Sequence, residues 1–134
     1  MTKRIIGRLS CVAAATIVVS AVAIPANAEA APGIVSKNVY RNGHYFGTVE
    51  WSADPNGSNP GDALRVCDYN ADGAGLSAQL NQADKHSVDT FGHGSPYCSG
   101  WGTGNLPEGA SVIASVFTGN SEISIWSGDF TFTA

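Results

Sequence analysis

The stretch ALRVCDYNADGAGLSAQL, residues 63–80, contains the clearest structural pattern in the chain. In its first part, Leu64 and Val66 alternate with an arginine and a cysteine, and in its last part leucine and alanine alternate with serine and glutamine. Alternation with a period of two predicts β-strands that each bury one face. The segment between them, Asp68–Gly73, is rich in Asp, Asn and Gly, which favour turns. We therefore expect two strands joined by a hairpin connection.

The same alternation recurs on both sides of this stretch, and no segment has the periodicity of an amphipathic helix. Further strands are expected at residues 34–40, 45–51, 86–91, 111–117 and 123–132, the last of them bent or divided at Gly128. The glycine-rich segment 92–104 is expected to be a loop. Turn signals recur about every 8–12 residues, which is typical of antiparallel β domains. The sequence predicts an all-β protein, an antiparallel β-sandwich or small barrel of about 7–8 strands.

Two details of this prediction concern side-chain placement and fold type. In the strand at residues 45–51, the alternation puts Val49 and Trp51 on one face and Phe46 on the other. An immunoglobulin domain carries a Trp between its two cysteines, and no Trp lies between Cys67 and Cys98. The fold is therefore expected to be immunoglobulin-like only at the level of its class.

The first 28 residues have the composition of a secretory signal peptide. Three basic residues precede the apolar run Cys11–Ile24, and Ala26 and Ala28 occupy the small-residue positions that signal peptidase reads. The run is shorter than the roughly 20 residues that span a membrane as a helix. We expect cleavage after Ala28, a secreted protein without a membrane anchor, and one β-sandwich domain formed by residues 29–134.

The charge of the mature chain limits its partners. The whole sequence has 7 basic and 11 acidic residues, and three of the basic ones lie in the predicted signal peptide. The mature chain therefore carries a net charge of −7. A nucleic-acid-binding protein needs a cationic surface, so nucleic acid is excluded as a partner.

We also expect the mature protein to be a monomer.

The signal peptide contains one of the three cysteines, which leaves Cys67 and Cys98 in the mature chain. Two cysteines in an oxidising compartment most simply form one disulfide bond. The alternative is a reactive or metal-binding pair of thiols, but the spacing is not that of a C-x-x-C motif.

The Asp68–Gly73 segment also matches the D-x-[DN]-x-[DN]-G opening of a calcium-binding loop, with Asp68, Asn70 and Asp72 as the possible ligands. Position twelve of such a loop is normally a bidentate Glu, and Gln79 stands there. Asp, Asn and Gly favour turns without any metal. We therefore interpret the segment as a turn, and predict neither a metal site nor a cofactor.

No catalytic arrangement is evident in the sequence. The chain has no G-x-S-x-G motif, and His93 lies close to Ser95 only along the chain, which does not define a triad. His86 and His93 flank Asp89, but spacings of three and four residues within a strand or loop do not place three zinc donors on one face. We therefore expect that the protein is not an enzyme.

The three tryptophans are candidates for different roles. Trp51 and Trp126 lie within strand patterns and are expected to be in the core or half-buried. Trp101 lies in the segment Ser-Gly-Trp-Gly, where its neighbours are too small to cover its ring. Trp101 is therefore a candidate contact residue, and the alternative is that it packs over the disulfide or over one end of a sheet.

Two segments carry a family resemblance: DALRVCDYNADGAGLSAQL at Asp62–Leu80 and SPYCSGWGTGNLPEGASV at Ser95–Val112. They share a Cys-Asp-x-x-Ala-Asp-Gly turn, a second cysteine about thirty residues later and a Leu-Pro-Glu-Gly turn with a group of small secreted actinobacterial proteins. The chain resembles these proteins, which are typical of streptomycetes, over most of its mature length. The resemblance implies an extracellular location and a compact disulfide-bearing β fold, and it implies no mechanism.

These observations favour a secreted, non-enzymatic binding module whose partner is an extracellular protein or carbohydrate. The alternative is a proteinaceous inhibitor of an extracellular hydrolase, for which the segment Ser95–Leu106 would have to form a rigid exposed loop near the disulfide. A small secreted enzyme ranks third, for want of catalytic residues.

Overall fold

The computed structural model describes residues 33–82 and 86–134. This part of the chain contains nine β-strands and no helix. The predicted signal peptide and its cleavage site lie outside these residues. No helix long and apolar enough to cross a membrane occurs within the described ranges. The strands are β1 Ile34–Arg41, β2 His44–Ser52, β3 Ala63–Asp68, β4 Gly75–Leu80, β5 Ser87–Asp89, β6 Tyr97–Cys98, β7 Gly102–Thr103, β8 Ser111–Gly119 and β9 Ser124–Thr133.

The strands form two antiparallel sheets that pack face to face. The first sheet has the order β1-β2-β3-β6, with β7 also paired to β3, and the second has the order β5-β4-β8-β9. Both sheets are open, since no ladder closes either of them on itself or on the other in the described ranges. The prediction of an all-β antiparallel sandwich is confirmed, and its alternative, a small barrel, is wrong.

The segment 92–104, predicted to be a loop, contains the two short strands β6 and β7. Each has only two residues and pairs with β3, so that Cys98 faces Cys67 and Gly102 faces Leu64. Two residues are too few to show a period of two, and glycine adds no side chain to the pattern. This is why sequence analysis missed both strands.

The strands on either side of Asp68–Gly73 do not form the expected hairpin. β3 pairs with β2 in the first sheet, whereas β4 pairs with β5 and β8 in the second. Both strands have one apolar face, and placing them in opposite sheets directs both of these faces into the same core. The turn therefore carries the chain from one layer of the sandwich to the other.

The core lies between the two sheets and is built from alternate positions of the long strands. Its most deeply buried large side chains include Trp51, Leu64, Leu76, Leu80, Val49, Val66, Val112 and Val116. The Trp51 ring stacks on Phe132 with centroids 6.1 Å apart, and its indole Nε1 donates to the carbonyl oxygen of Thr133 at 2.8 Å. Trp51 is thus a core residue, as predicted, and it links β2 to β9 across the layers.

A β-bulge in β2 changes the side-chain pattern that alternation predicted. Val39 pairs with Gly47, but the next residue, Tyr40, pairs with Tyr45, so Phe46 is an extra residue on β2. Phe46 is only 3% exposed and belongs to the core cluster. The prediction that Phe46 lies on the face opposite to Val49 and Trp51 is therefore wrong, because the bulge reverses the alternation at this point.

Cys67 and Cys98 form the predicted disulfide bond. The two residues are directly opposite each other on the neighbouring strands β3 and β6, within the first sheet. In an immunoglobulin domain the disulfide joins the two sheets, so the present bond differs from that pattern. It attaches the long connection between β5 and β8 to the middle of the first sheet.

Replacing Gly47 with alanine should strongly destabilise the protein. A Cβ atom at Gly47 would overlap the carbonyl oxygen of Cys67 on the neighbouring strand, and backbone cannot move away as a flexible side chain can. We expect a loss of about 2 kcal/mol or more, which lowers the thermal midpoint by roughly 10 °C in a domain of this size. Gly94→Ala is the matched control, because no atom lies within 4 Å of a Cβ built at Gly94. Equal midpoints for the two variants in a calorimetric scan would contradict the bulge geometry.

Removing the disulfide should have a comparable or larger effect. The bond closes a loop with a sequence separation of 31 residues. The loss of this constraint on the unfolded chain corresponds to about 3.7 kcal/mol. We expect the Cys67→Ala/Cys98→Ala variant to unfold well below the unmodified protein in urea or heat. Thiol titration of the denatured, unreduced protein should find no free thiol, and two titratable thiols would show that the pairing is absent in solution.

Candidate functional site

The outer face of the first sheet carries a row of side chains on both sides of the disulfide. On β3, Leu64 and Val66 point into the core, so Arg65, Cys67 and the following Tyr69 lie on the opposite face. Alternate positions of a strand are about 7 Å apart. The disulfide therefore lies between Arg65 and Tyr69, and the Tyr69 hydroxyl is 3.9 Å from Cys98 Sγ.

Trp101 lies at one end of this row and is partly buried. The guanidinium carbon of Arg65 lies 4.4 Å from the centroid of the Trp101 ring, at cation–π distance. Arg65 is in turn held by Glu50, whose Oε2 accepts a hydrogen bond from Arg65 Nε at 2.9 Å. Although the sequence neighbours of Trp101 are small, one face of its ring is covered by a residue from β3. That Trp101 contacts a partner stays a prediction.

Three exposed tyrosines lie at the other end of the row. Tyr40, Tyr45 and Tyr69 are 52%, 38% and 48% exposed, and the Tyr40 and Tyr45 rings have centroids 5.4 Å apart. Partial burial, together with the neighbouring Tyr69 and Tyr40 hydroxyls, raises the pKa of Tyr45. We call Tyr40, Tyr45 and Tyr69 the tyrosine cluster. Together with Arg65 and Trp101 it forms an aromatic band along the outer face of the first sheet.

Sequence analysis missed the tyrosine cluster because its members come from three separate parts of the chain. The bulge at Phe46 places Tyr45 on the outer face beside Tyr40, and the β2–β3 pairing brings Tyr69 to the same end of the sheet. The only sequence signal was the alternation itself, which assigned Tyr45 to the face of Val49 and Trp51. That assignment is reversed by the one extra residue in β2.

The Asp68–Gly73 turn is held together by its own side chains. Asp68 Oδ1 accepts a hydrogen bond from the amide of Asn70 at 2.9 Å, and Asp72 Oδ1 accepts one from the amide of Ala74 at 2.8 Å. Asn70 Nδ2 also donates to Asp72 Oδ2 at 2.8 Å. Asp and Asn side chains that bond to backbone two residues later are typical of turns. No group of three or more His, Cys, Asp or Glu that could hold a metal occurs in residues 33–82 and 86–134.

Asp68 is the one acidic residue of this turn that is buried, with 2% of its surface exposed. Burial raises the pKa of its carboxyl group, the hydrogen bond from Asn70 lowers that pKa, and the charge of Asp72 raises it; burial is the largest effect. The folded protein therefore binds a proton at Asp68 more tightly than the unfolded chain does.

A cleft of about 290 Å³ lies beside this turn, between it, the segment 90–95 and the turn at Gly119–Asn120. The imidazole of His93 stacks on the Tyr97 ring with centroids 3.8 Å apart, and Ser95 Oγ donates to the carbonyl oxygen of Asp68 at 3.3 Å. These contacts hold the loop against the first sheet, and neither of them activates Ser95 as a nucleophile. Of the other histidines, His44 begins β2 and His86 directly precedes β5.

The prediction that Trp126 lies in the core or is half-buried is wrong. Trp126 is 59% exposed on the outer face of the second sheet. Val116 pairs with Gly128, and Phe117 pairs with Trp126, so Ser127 is an extra residue on β9. Simple alternation from Phe130 and Phe132 would place Trp126 inside. The bulge turns it to the outside, next to Phe117.

No protein-family model, curated protein or solved structure matches this chain.

The raised pKa of Asp68 predicts a pH-dependent effect of Asp68→Asn. Because the native state favours the protonated carboxyl, the buried charge costs stability above the folded pKa; this cost decreases as the pH falls below that value and is gone below the pKa of the unfolded chain. Asparagine keeps the acceptor for the Asn70 amide without the charge. We expect Asp68→Asn to unfold a few degrees above the unmodified protein at pH 7, and the difference to shrink towards pH 3. A difference that grows on acidification would contradict the assignment. Asp89→Asn is the control, because Asp89 is exposed and accepts the same kind of hydrogen bond, from the amide of Phe91 two residues later.

Proposed function

We propose that the protein is a secreted, non-enzymatic binding module that contacts an extracellular protein through the aromatic band. The observation that carries the proposal is the tyrosine cluster, three partly exposed rings at one end of a disulfide-braced sheet. Isolated exposed aromatic residues are common on protein surfaces, whereas a group of them beside an Arg–Trp pair is typical of an interaction site.

The residue types of the band favour a protein partner. Tyr, Trp and Arg are the residues that most often dominate the binding energy of protein interfaces. A tyrosine ring provides a large contact area and a hydroxyl group at a low cost in side-chain entropy. Arg65 is already ordered by Glu50 and Trp101, so little further entropy is lost when a partner covers it.

The net negative charge of the mature chain favours partners that have a basic surface. The mature chain, if cleaved after Ala28, has a net charge of −7, while Arg65 and Glu50 neutralise each other within the band. A protein with a basic surface around an apolar contact patch would be attracted by the overall charge and would still find a neutral contact surface. The intrachain disulfide is compatible with export to an oxidising environment.

The alternative proposal, an inhibitor that inserts the segment Ser95–Leu106 into a hydrolase, has less support. An inhibitory loop has to extend from its scaffold so that an enzyme can surround it. Here the segment runs along β3, with Cys98 opposite Cys67 and Gly102 opposite Leu64. Its two short strands, β6 and β7, therefore lie in the first sheet as edge strands and hold the segment around Trp101 against β3.

A capture experiment tests the proposal. The purified mature protein, immobilised through its C-terminus, is incubated with culture supernatant of the producing cells, and a bound protein is identified and its affinity measured. We expect Tyr45→Ala/Tyr69→Ala to weaken binding by tenfold or more, since one interface hot spot is worth at least about 1–2 kcal/mol. Trp126→Ala, on the other sheet, is the matched control and should bind as the unmodified protein does. Capture of no protein, or equal binding by all three forms, would contradict the proposal.

A further inference from the structure

The outer face of the second sheet has a different composition from the aromatic band. Two rows of side chains cross it from β5 to β9. The first row consists of Asp89, Ser77, Phe117 and Trp126, each opposite the next on the neighbouring strand. The second row consists of Ser87, Gln79, Ser115 and Asp129, paired in the same way. With strands about 4.8 Å apart, each row is roughly 14 Å long.

A groove of about 310 Å³ lies on the β5 side of this face. Phe91 and Phe117 are among its lining residues, and polar side chains from β4 and β5, including Gln79 and Asp89, line it as well. None of the described residues that line the groove is basic. The groove is therefore an open channel with aromatic rings and hydrogen-bonding groups side by side.

Trp126 continues the first row beyond Phe117 and is held in a fixed orientation. Its indole Nε1 donates to Asp129 Oδ1 at 3.2 Å, and Ser115 Oγ donates to the same oxygen at 2.6 Å. Ser115 Oγ in turn accepts a hydrogen bond from Asn81 Nδ2 at 2.8 Å. The bonds from Ser115 and Trp126 to Asp129 lower the pKa of its carboxyl group, so it remains ionised well into the acidic range. A chain of polar contacts thus orients a ring that is mostly exposed to solvent.

We propose that this face binds a neutral, hydroxyl-rich polysaccharide, whose sugar rings pack on Trp126 and Phe117 while their hydroxyl groups bond to the polar side chains beside them. The carbon-bound hydrogens of a sugar ring form a weakly apolar face that suits the electron-rich face of an aromatic ring. Sugar hydroxyl groups donate to carboxylates and amides, and Asp89, Asp129 and Gln79 offer such acceptors in the two rows.

The charges of the face determine which polymer it accepts. Asp89 and Asp129 contribute negative charge, and neither row contains a basic residue. A polymer that carries phosphate, sulfate or carboxylate groups would be repelled by both carboxylates and would leave its own charge unpaired. An uncharged polyol is not repelled by the two carboxylates, and its hydroxyl groups form charge-assisted hydrogen bonds with them. The open shape of the groove suits an extended polymer that lies across both rows.

A sedimentation assay tests this proposal with three insoluble neutral polysaccharides, amorphous cellulose, chitin and β-1,3-glucan, and with insoluble cross-linked carboxymethyl cellulose as the anionic control. We expect the protein to co-sediment with at least one of the three neutral polymers and to remain in the supernatant with the anionic one. Trp126→Ala and Phe117→Ala should each lower the apparent affinity at least tenfold. Trp101→Ala, on the first sheet, should leave it unchanged, which separates this site from the aromatic band.

Two measurements distinguish polysaccharide binding from loss of folding and from self-association. Thermal unfolding of Trp126→Ala should match that of the unmodified protein, because an exposed ring contributes little to folding, so lost binding does not reflect lost structure. Analytical ultracentrifugation reports whether a second copy of the chain covers the face instead. A dimer that Trp126→Ala dissociates would overturn the proposal, as would retention on none of the three polysaccharides or equal retention of the Trp126→Ala variant. None of these outcomes bears on protein capture by the tyrosine cluster.

Discussion

The burial of β3 against β4 across the two layers is the interaction on which the rest of the structure depends. Leu64 and Val66 from one strand and Leu76 and Leu80 from the other belong to the same core, although only a short turn separates the two strands along the chain. Burial of each such side chain is worth about 1.5–3 kcal/mol. Each of the two strands then provides pairing edges for its own sheet: β2, β6 and β7 add to β3, and β5 and β8 add to β4.

The sequence was sufficient to predict where the long strands lie and which of them alternate, because a period of two is a local property. It was not sufficient to predict how β3 and β4 are arranged, since their alternation is the same whether they are neighbours in one sheet or face each other across the core. It also missed the bulges in β2 and β9. Each bulge adds one residue: in β2, Phe46 enters the core and Tyr45 moves to the outer face, and in β9, Trp126 moves to the outer face.

The candidate sites show the same limit. Trp101 could be singled out from the sequence because its small neighbours are a local feature, but the Arg65 side chain that covers it comes from β3. The tyrosine cluster requires the strand pairing to bring Tyr40 and Tyr69 beside Tyr45. The disulfide was predictable, because only two cysteines remain after the predicted cleavage. The position of the disulfide within one sheet was not predictable, although this position decides which strands the bond connects.

The two outer faces are energetically separable because an apolar core lies between them. Packed sheets are about 10 Å apart, and substitutions that share no partner over such a distance are close to additive. Each face also has its own brace: the disulfide beside Tyr69 on the first sheet, and the Ser115–Asp129–Trp126 hydrogen bonds on the second. Because the aromatic side chains are already ordered in the free protein, less side-chain conformational entropy is lost when a partner binds. Under the two proposals, a small exported domain of this kind can hold a protein on one face and a polysaccharide on the other, and neither contact weakens the other.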